Sequence, residues 1–274
     1  MTTIQYLLNL PSVLFFILMS FFGAFIGGFS TFIFRKYKPI KIMKSHNEVT
    51  GFIFLAIASF YSLLMSFVLF LVWDQFNDTY SNVSKEGNFA LGLYRDIKFY
   101  PDSAESKQLM TPYLDFVNNV IHEEFPNMEN TRPSPKTKES LNDIFYKMER
   151  LNPKNQFQIQ LVAEMYNHLN QLDLYRGLRI SSKDTEISPP LWLPMILGGI
   201  IIIICGSWMD IKNARMHIIL NCLIGLFIGM LFFSIILLDN PFVGTIRIKP
   251  VEYKSILTLE QPTKQSDKGL HQKK

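Results

Sequence analysis

The chain has 274 residues, 48% hydrophobic and 18% charged, with a net charge of +4. That charge is too small, and its lysines and arginines too dispersed among acids, for a nucleic-acid partner. Only two cysteines are present, Cys205 and Cys222, and both fall inside apolar runs, so no disulfide framework organises a soluble part.

In chain order, four apolar stretches dominate: 10–34, 51–73, 192–208 and 218–238, none containing Asp, Glu, Lys, Arg or His. A helix rises about 1.5 Å per residue and a bilayer core is about 30 Å thick, so each stretch has the length of a membrane span. The fold class expected is all-α: a polytopic membrane protein with four transmembrane helices, two plus two, around a helical soluble insert. Residues 10–73 hold the first two spans, 74–190 the insert, 191–238 the other two spans, and 239–274 a polar tail. The first run lacks a preceding basic residue and is too long for a signal peptide, so it reads as a retained span. Trp73, Trp192 and Trp208 fall at span ends, where amphipathic rings favour the headgroup zone.

The connection 35–46 reads RKYKPIKIMKSH, short and basic without an acid, and Lys212 and Arg215 join it on the same side. Short basic loops stay cytoplasmic, which puts the insert and both termini outside. Arg247, Lys249 and Lys254 after the last span, and Arg176, Arg179 and Lys183 before the third, weigh the other way.

Within the insert, helical periodicity carries the second span outward to about Lys98, where Pro101 closes it. Ser103 is placed to cap a helix whose apolar face is Leu109, Tyr113, Phe116, Val117, Val120 and Ile121, ended by Pro126. A loop over 127–137 leads to a short helix opening at Thr137, with Leu141, Ile144, Phe145 and Met148 on one side. Pro153 suits the start of a last helix carrying Phe157, Leu161, Met165, His168, Leu169 and Leu172. Residues 245–251 are the only strand-like stretch.

Small polar residues stripe the second span: Ser59, Ser62 and Ser66 share one helical face. They suit either a water-lined or ion-lined wall or close helix packing. Gly23 with Gly27, and Gly225 with Gly229, are G-x-x-x-G pairs that permit tight crossings, and Asn221 suits a bond to a neighbouring helix. His122, Glu123 and Glu124, with His168 distant, read as a solvated helix end rather than a metal site, since no metal-ligand spacing is present. No nucleophile elbow, phosphate loop, zinc-protease motif or intramembrane carboxylate pair occurs. No enzymatic activity, metal or cofactor is expected.

The run His46-Asn47-Glu48-Val49-Thr50-Gly51-Phe52-Ile53-Phe54 stands first in a series of matching segments. The stretch from Phe67 to Trp73-Asp74-Gln75-Phe76 follows it, then Glu86 and Leu93-Tyr94-Arg95, then Leu191-Trp192 and 238–248, which reads LDNPFVGTIRI. Together they resemble a bacterial family of unknown function labelled bestrophin-like, in the same order over nearly the whole chain. Bestrophins are pentameric anion channels, so the resemblance implies a homo-oligomer in the bacterial plasma (inner) membrane, with the insert cytoplasmic, against the charge argument. The chain departs from the bestrophin pattern after Trp73, where acidic Asp74 and Asp78 stand in place of basic residues, and its insert is shorter. On this reading the second spans face a common axis. Ser59, Ser62 and Ser66 line it, and Trp73 with Phe76 forms a constriction. The alternative is a non-conducting envelope module, anchored by its spans, whose insert binds a protein, lipid or small ligand.

Overall fold

The computed structural model describes residues 3–37, 44–128, 134–182, 187–209 and 211–260, and all regular structure among them is helical. The helices are α1 (Thr3–Leu8), α2 (Ser12–Tyr37), α3 (Lys44–Lys98), α4 (Ser103–Asn119), α5 (Pro135–Glu149), α6 (Gln156–Ser181), α7 (Pro189–Trp208), α8 (Ala214–Leu238) and α9 (Val251–Glu260). Four of them, α2, α3, α7 and α8, are long and apolar enough to cross a membrane. The strand-like stretch 245–251 forms no strand. It runs as a turn and extended chain into α9. The chain divides into two compact units, Met1–Asp78 with Asp184–Arg247, and Thr79–Lys183 with Ile248–Lys274.

The first unit is held by the crossing of α2 on α8. A Cβ added to Gly23 would lie 2.1 Å from the Gly225 carbonyl oxygen, and one on Gly27 2.1 Å from that of Asn221. A Cβ on Gly229 would meet the Met19 oxygen at 2.3 Å. The two G-x-x-x-G pairs therefore face each other within one chain, and their backbones touch where any side chain would separate them. Without a hydrophobic drive between helices in lipid, this close packing and the hydrogen bonds beside it carry the association. Asn221, buried, donates through Nδ2 to the Gly27 and Ile203 carbonyls (3.1 and 3.2 Å) and contacts Thr31 Oγ1 and Ser207 Oγ (2.7 and 2.8 Å), joining α2, α7 and α8. One turn earlier, Arg35 Nη1 donates to the Ile211 carbonyl at 2.8 Å and approaches His217 Nδ1 at 3.2 Å. Arginine can only donate, so Nδ1 accepts and the proton sits on Nε2, 3.0 Å from the Gly206 carbonyl.

Tyr61, Met65, Val68 and Val72 of α3 pack on Met195, Ile202 and Ile203 of α7 and Ile228 and Ile235 of α8. Tyr61 lies across Gly198 and Gly199, where a Cβ would come within 2.5 Å of its ring and 3.1 Å of its hydroxyl oxygen. The segment after α8 is built for a sharp return. Asp239 Oδ1 accepts the Ile187 N–H at 2.8 Å, tying the end of α8 to the approach to α7. Phe242 and Val243 are buried, and Gly244 takes φ +82° directly beneath the Leu8 carbonyl, which excludes a side chain.

In the second unit the end of α3 packs with α4, α5, α6 and α9 around Leu93, Ile97, Tyr113, Phe116, Ile144 and Leu169. The expected cap, Ser103, is displaced by one residue: Asp102 Oδ1 accepts the Ala104 and Glu105 N–H groups at 3.0 and 3.3 Å. A carboxylate is the stronger acceptor at the positive end of a helix. Its acidity is enhanced by those backbone donors and by Lys154, so it is held below the usual carboxylate range. In the same way α6 starts at Gln156, capped by Asn155, and not at Pro153, while α5 opens at Pro135 behind Ser134, two residues before Thr137. Pro126 does not itself stop α4, which ends at Asn119 and continues as one π turn, Val120–Glu124. That turn re-aims the last carboxylate inward.

Candidate functional site

On α3 the apolar positions 61, 65, 68 and 72 recur every three or four residues and face α7 and α8, which turns the serine positions outward. Ser59, Ser62 and Ser66 are exposed, Trp73 is 53% exposed, and Phe76 is half-buried. Ser59 Oγ donates to the Leu55 carbonyl at 2.7 Å and Ser62 Oγ to that of Ser59 at 2.9 Å. The hydroxyl hydrogens of Ser59 and Ser62 are thus satisfied within the helix, and their oxygens keep their acceptor capacity. The serines do not serve the packing of α3 against its own chain. Ser59 and Ser62 also border a groove of about 700 Å³ between α3, α7 and α8.

A second polar cluster lies in the other unit, and spacing along the chain gave no sign of it. Arg179 of α6 is fully buried. Its Nε and Nη2 donate to Glu86 of α3 at 2.6 and 2.9 Å, and Nη2 also to Glu124 of the π turn at 2.7 Å. Arg176 grips Glu124 through two more bonds of 2.6 and 3.1 Å, and Tyr253 of α9 donates to Glu86 at 2.8 Å. Two cations face two anions, so the cluster is neutral, and the Arg179 guanidinium also lies over the Phe125 ring, 4.5 Å from its centre. Burial pushes the Glu124 carboxyl up, but the Arg179 and Arg176 charges and bonds outweigh it, and the group sits below its ordinary value. Burial likewise opposes the Arg179 charge, and the Glu86 and Glu124 carboxylates reverse that effect. Burial and then Glu86 hold the Tyr253 phenol well above its ordinary value, so it remains a donor.

This corrects one expectation. Glu124 is not part of a solvated helix end, being 2% exposed, although His122 beside it is exposed; Arg176 and Arg179, counted before the third span, are buried in the cluster. His168 sits between two carboxylates, its Nδ1 2.6 Å from Asp96 Oδ2 and its Nε2 3.6 Å from Glu164 Oε1.

Helices of spanning length in two pairs, with a helical unit inserted between them, define a polytopic all-helical membrane protein. The family model described as the bestrophin-like domain matches residues 21–253, and the chain belongs to the bestrophin-like family. Its fold is similar to the crystal structure of a point variant of a bacterial bestrophin homolog from Klebsiella pneumoniae. That likeness has a TM-score of 0.56 at 14% identity over 91% of this chain and 99% of the other. No curated protein matches the chain.

Proposed function

We propose that the chain assembles as a homo-oligomeric, bestrophin-like ion channel of the bacterial plasma (inner) membrane. In this assembly α3 of each copy faces a shared axis. Four spans in one chain enclose no wide passage, so conduction requires several copies. The observation that carries this reading is the exposed polar face of α3. Ser59, Ser62 and Ser66 stand outward from a helix that packs on α7 and α8 through Tyr61, Met65, Val68 and Val72. They would line the passage, and Trp73 with Phe76 would form an apolar constriction that gates by dewetting. The Klebsiella homolog supports the reading through its fold.

Two measurements test this. The purified chain in detergent is expected to have the mass of a closed oligomer, and in planar bilayers it is expected to conduct. Ser62→Leu with Ser66→Leu should cut unitary conductance several-fold without changing the oligomer's mass, because both positions are exposed on the single chain. A strict monomer, or bilayers that carry no current, would end this reading in favour of the anchored envelope module, and conductance unaffected by the double substitution would remove the serines from the passage wall.

A further inference from the structure

The groove beside α3 has a use that does not depend on conduction, only on insertion into a bilayer. Its volume, about 700 Å³, falls within the range of roughly 300–1,000 Å³ typical of small-molecule sites. Phe54 and Ala58 of α3, Ile202 of α7, and Ile224, Phe227 and Leu231 of α8 form its walls. All six belong to spans, and Phe227 at its rim is 60% exposed, so the groove is open at the depth of the spans, with Ser59 and Ser62 on its α3 border.

One end is chemically different. Met209, Ile211 and His217 close the groove at the turn between α7 and α8. Arg35 reaches this end, bonding the Ile211 carbonyl and His217. Lys212 and Arg215, both exposed, lie between the lining residues Ile211 and His217 in the chain. Residues 209–217 carry Asp210, Lys212 and Arg215, a net positive charge to which Arg35 adds a second. The start of α8 reinforces it. Its first turn holds Arg215 and no acid, and Asn213 Oδ1 already accepts the Arg215 and Met216 N–H groups at 3.0 and 3.3 Å, so a headgroup there meets side-chain charge and the helix dipole rather than those donors. An apolar channel ending in a cationic turn matches a molecule with a hydrocarbon chain and a negative head.

We propose that this groove seats one acyl chain of an anionic membrane phospholipid, with its phosphate held at the α7–α8 turn by Lys212 and Arg215. Basic pockets at the ends of transmembrane helices hold such headgroups, at a gain of roughly fivefold in affinity per cation. The lipid would then fill the seam between α3, α7 and α8, beside Ser59 and Ser62.

The test uses the full chain, reconstituted in vesicles of equal phosphatidylglycerol and phosphatidylcholine, re-extracted in mild detergent, with bound lipid measured by mass spectrometry. Phosphatidylglycerol should be enriched about fivefold or more over phosphatidylcholine. Lys212→Gln with Arg215→Gln should remove most of that enrichment, whereas Arg247→Gln with Lys249→Gln, outside the groove, should leave it intact. Ile224→Trp, which fills the trough but keeps the cationic turn, should lower phosphatidylglycerol bound per chain. A second readout covers the case of a variant that folds poorly. In Phe227→Trp, the added fluorescence at the rim should be quenched more by dibrominated phosphatidylglycerol than by dibrominated phosphatidylcholine. Equal retention of the two lipids, or wild-type retention in Ile224→Trp, overturns the proposal. So does efficient cross-linking of Leu223→Cys to a second copy, which would show that protein covers the groove.

Discussion

At the residue scale, Glu124 shows how much a fold can depend on charges with no local signature. Its partners Arg176 and Arg179 lie 52 and 55 positions away in sequence, and Glu86 is 93 from Arg179, so no window of the chain reveals the cluster. What the residues themselves showed was a His-Glu-Glu run at a helix end, and the ordinary reading of such a run is solvation. Burial without a partner would be prohibitive, while burial with two arginines is permitted provided the set stays complete. Glu124→Gln leaves Arg176 and part of Arg179 without a counter-charge and should cost about 3–5 kcal/mol. The pH dependence follows from the sign of the shift. A carboxyl whose folded pKa is depressed contributes stability above its unfolded value, about 4.3, and loses it as pH falls through the lower folded value. Thermal unfolding of the full chain in detergent, followed by circular dichroism between pH 3 and 7, should show the wild type weakening below about pH 4. The variant should start lower and show a flatter acid limb.

At the element scale, the spans were readable because lipid leaves few options: a long uncharged run must satisfy its backbone internally, and a helix does so. The long second helix, α3, was equally plain, since its apolar period carries past Trp73 to Lys98. The residue pattern alone could not tell which surface each glycine pair meets. Gly23 and Gly27 stand against Gly225 and Asn221 of the same chain, so these pairs build the protomer and supply no contact for an oligomer. Helix α9 was missed for another reason. Only Tyr253 and Ile256 of its ten residues are buried, too few to raise a periodic signal in a polar tail. A polar grip supplements them, with Ser84 donating to Glu252 and Tyr94 to Glu260. The α2–α8 crossing is the most sensitive of these elements to volume. Gly27→Leu would drive a side chain into the Asn221 carbonyl and part the donors that reach Gly27, so the chain should fail to yield a folded detergent-soluble protein. Gly51→Leu, at a position with open space around its Cα, should behave as wild type in the same size-exclusion assay.

At the scale of the whole molecule, the charge pattern and the bestrophin resemblance give opposite answers for the side of the membrane that holds the inserted unit. The charge pattern rests on the short loop 35–46, whose lysines and arginine have no acid among them, and on Lys212 and Arg215. The opposing charges are weaker than their number suggests. Orientation follows lysine and arginine in short loops, and long inserts translocate largely regardless of charge. Arg176 and Arg179 belong to such an insert, and in the folded chain they pair with Glu86 and Glu124 instead of facing lipid headgroups. Arg247, Lys249 and Lys254 remain, after the last span, where the first hairpin has already set the direction. The charge argument therefore places the unit outside the cytoplasm. Ser103 is a suitable reporter, since it is exposed at the first position of α4 and its side chain is not needed for the cap that Asp102 supplies. With Cys205 and Cys222 replaced by Ala, Ser103→Cys should react with a membrane-impermeant maleimide in intact cells to the same extent as after lysis. Protection until lysis would mean that the resemblance, not the basic loop, predicts the orientation, and would put Trp73 and Phe76 at the cytoplasmic mouth of any passage.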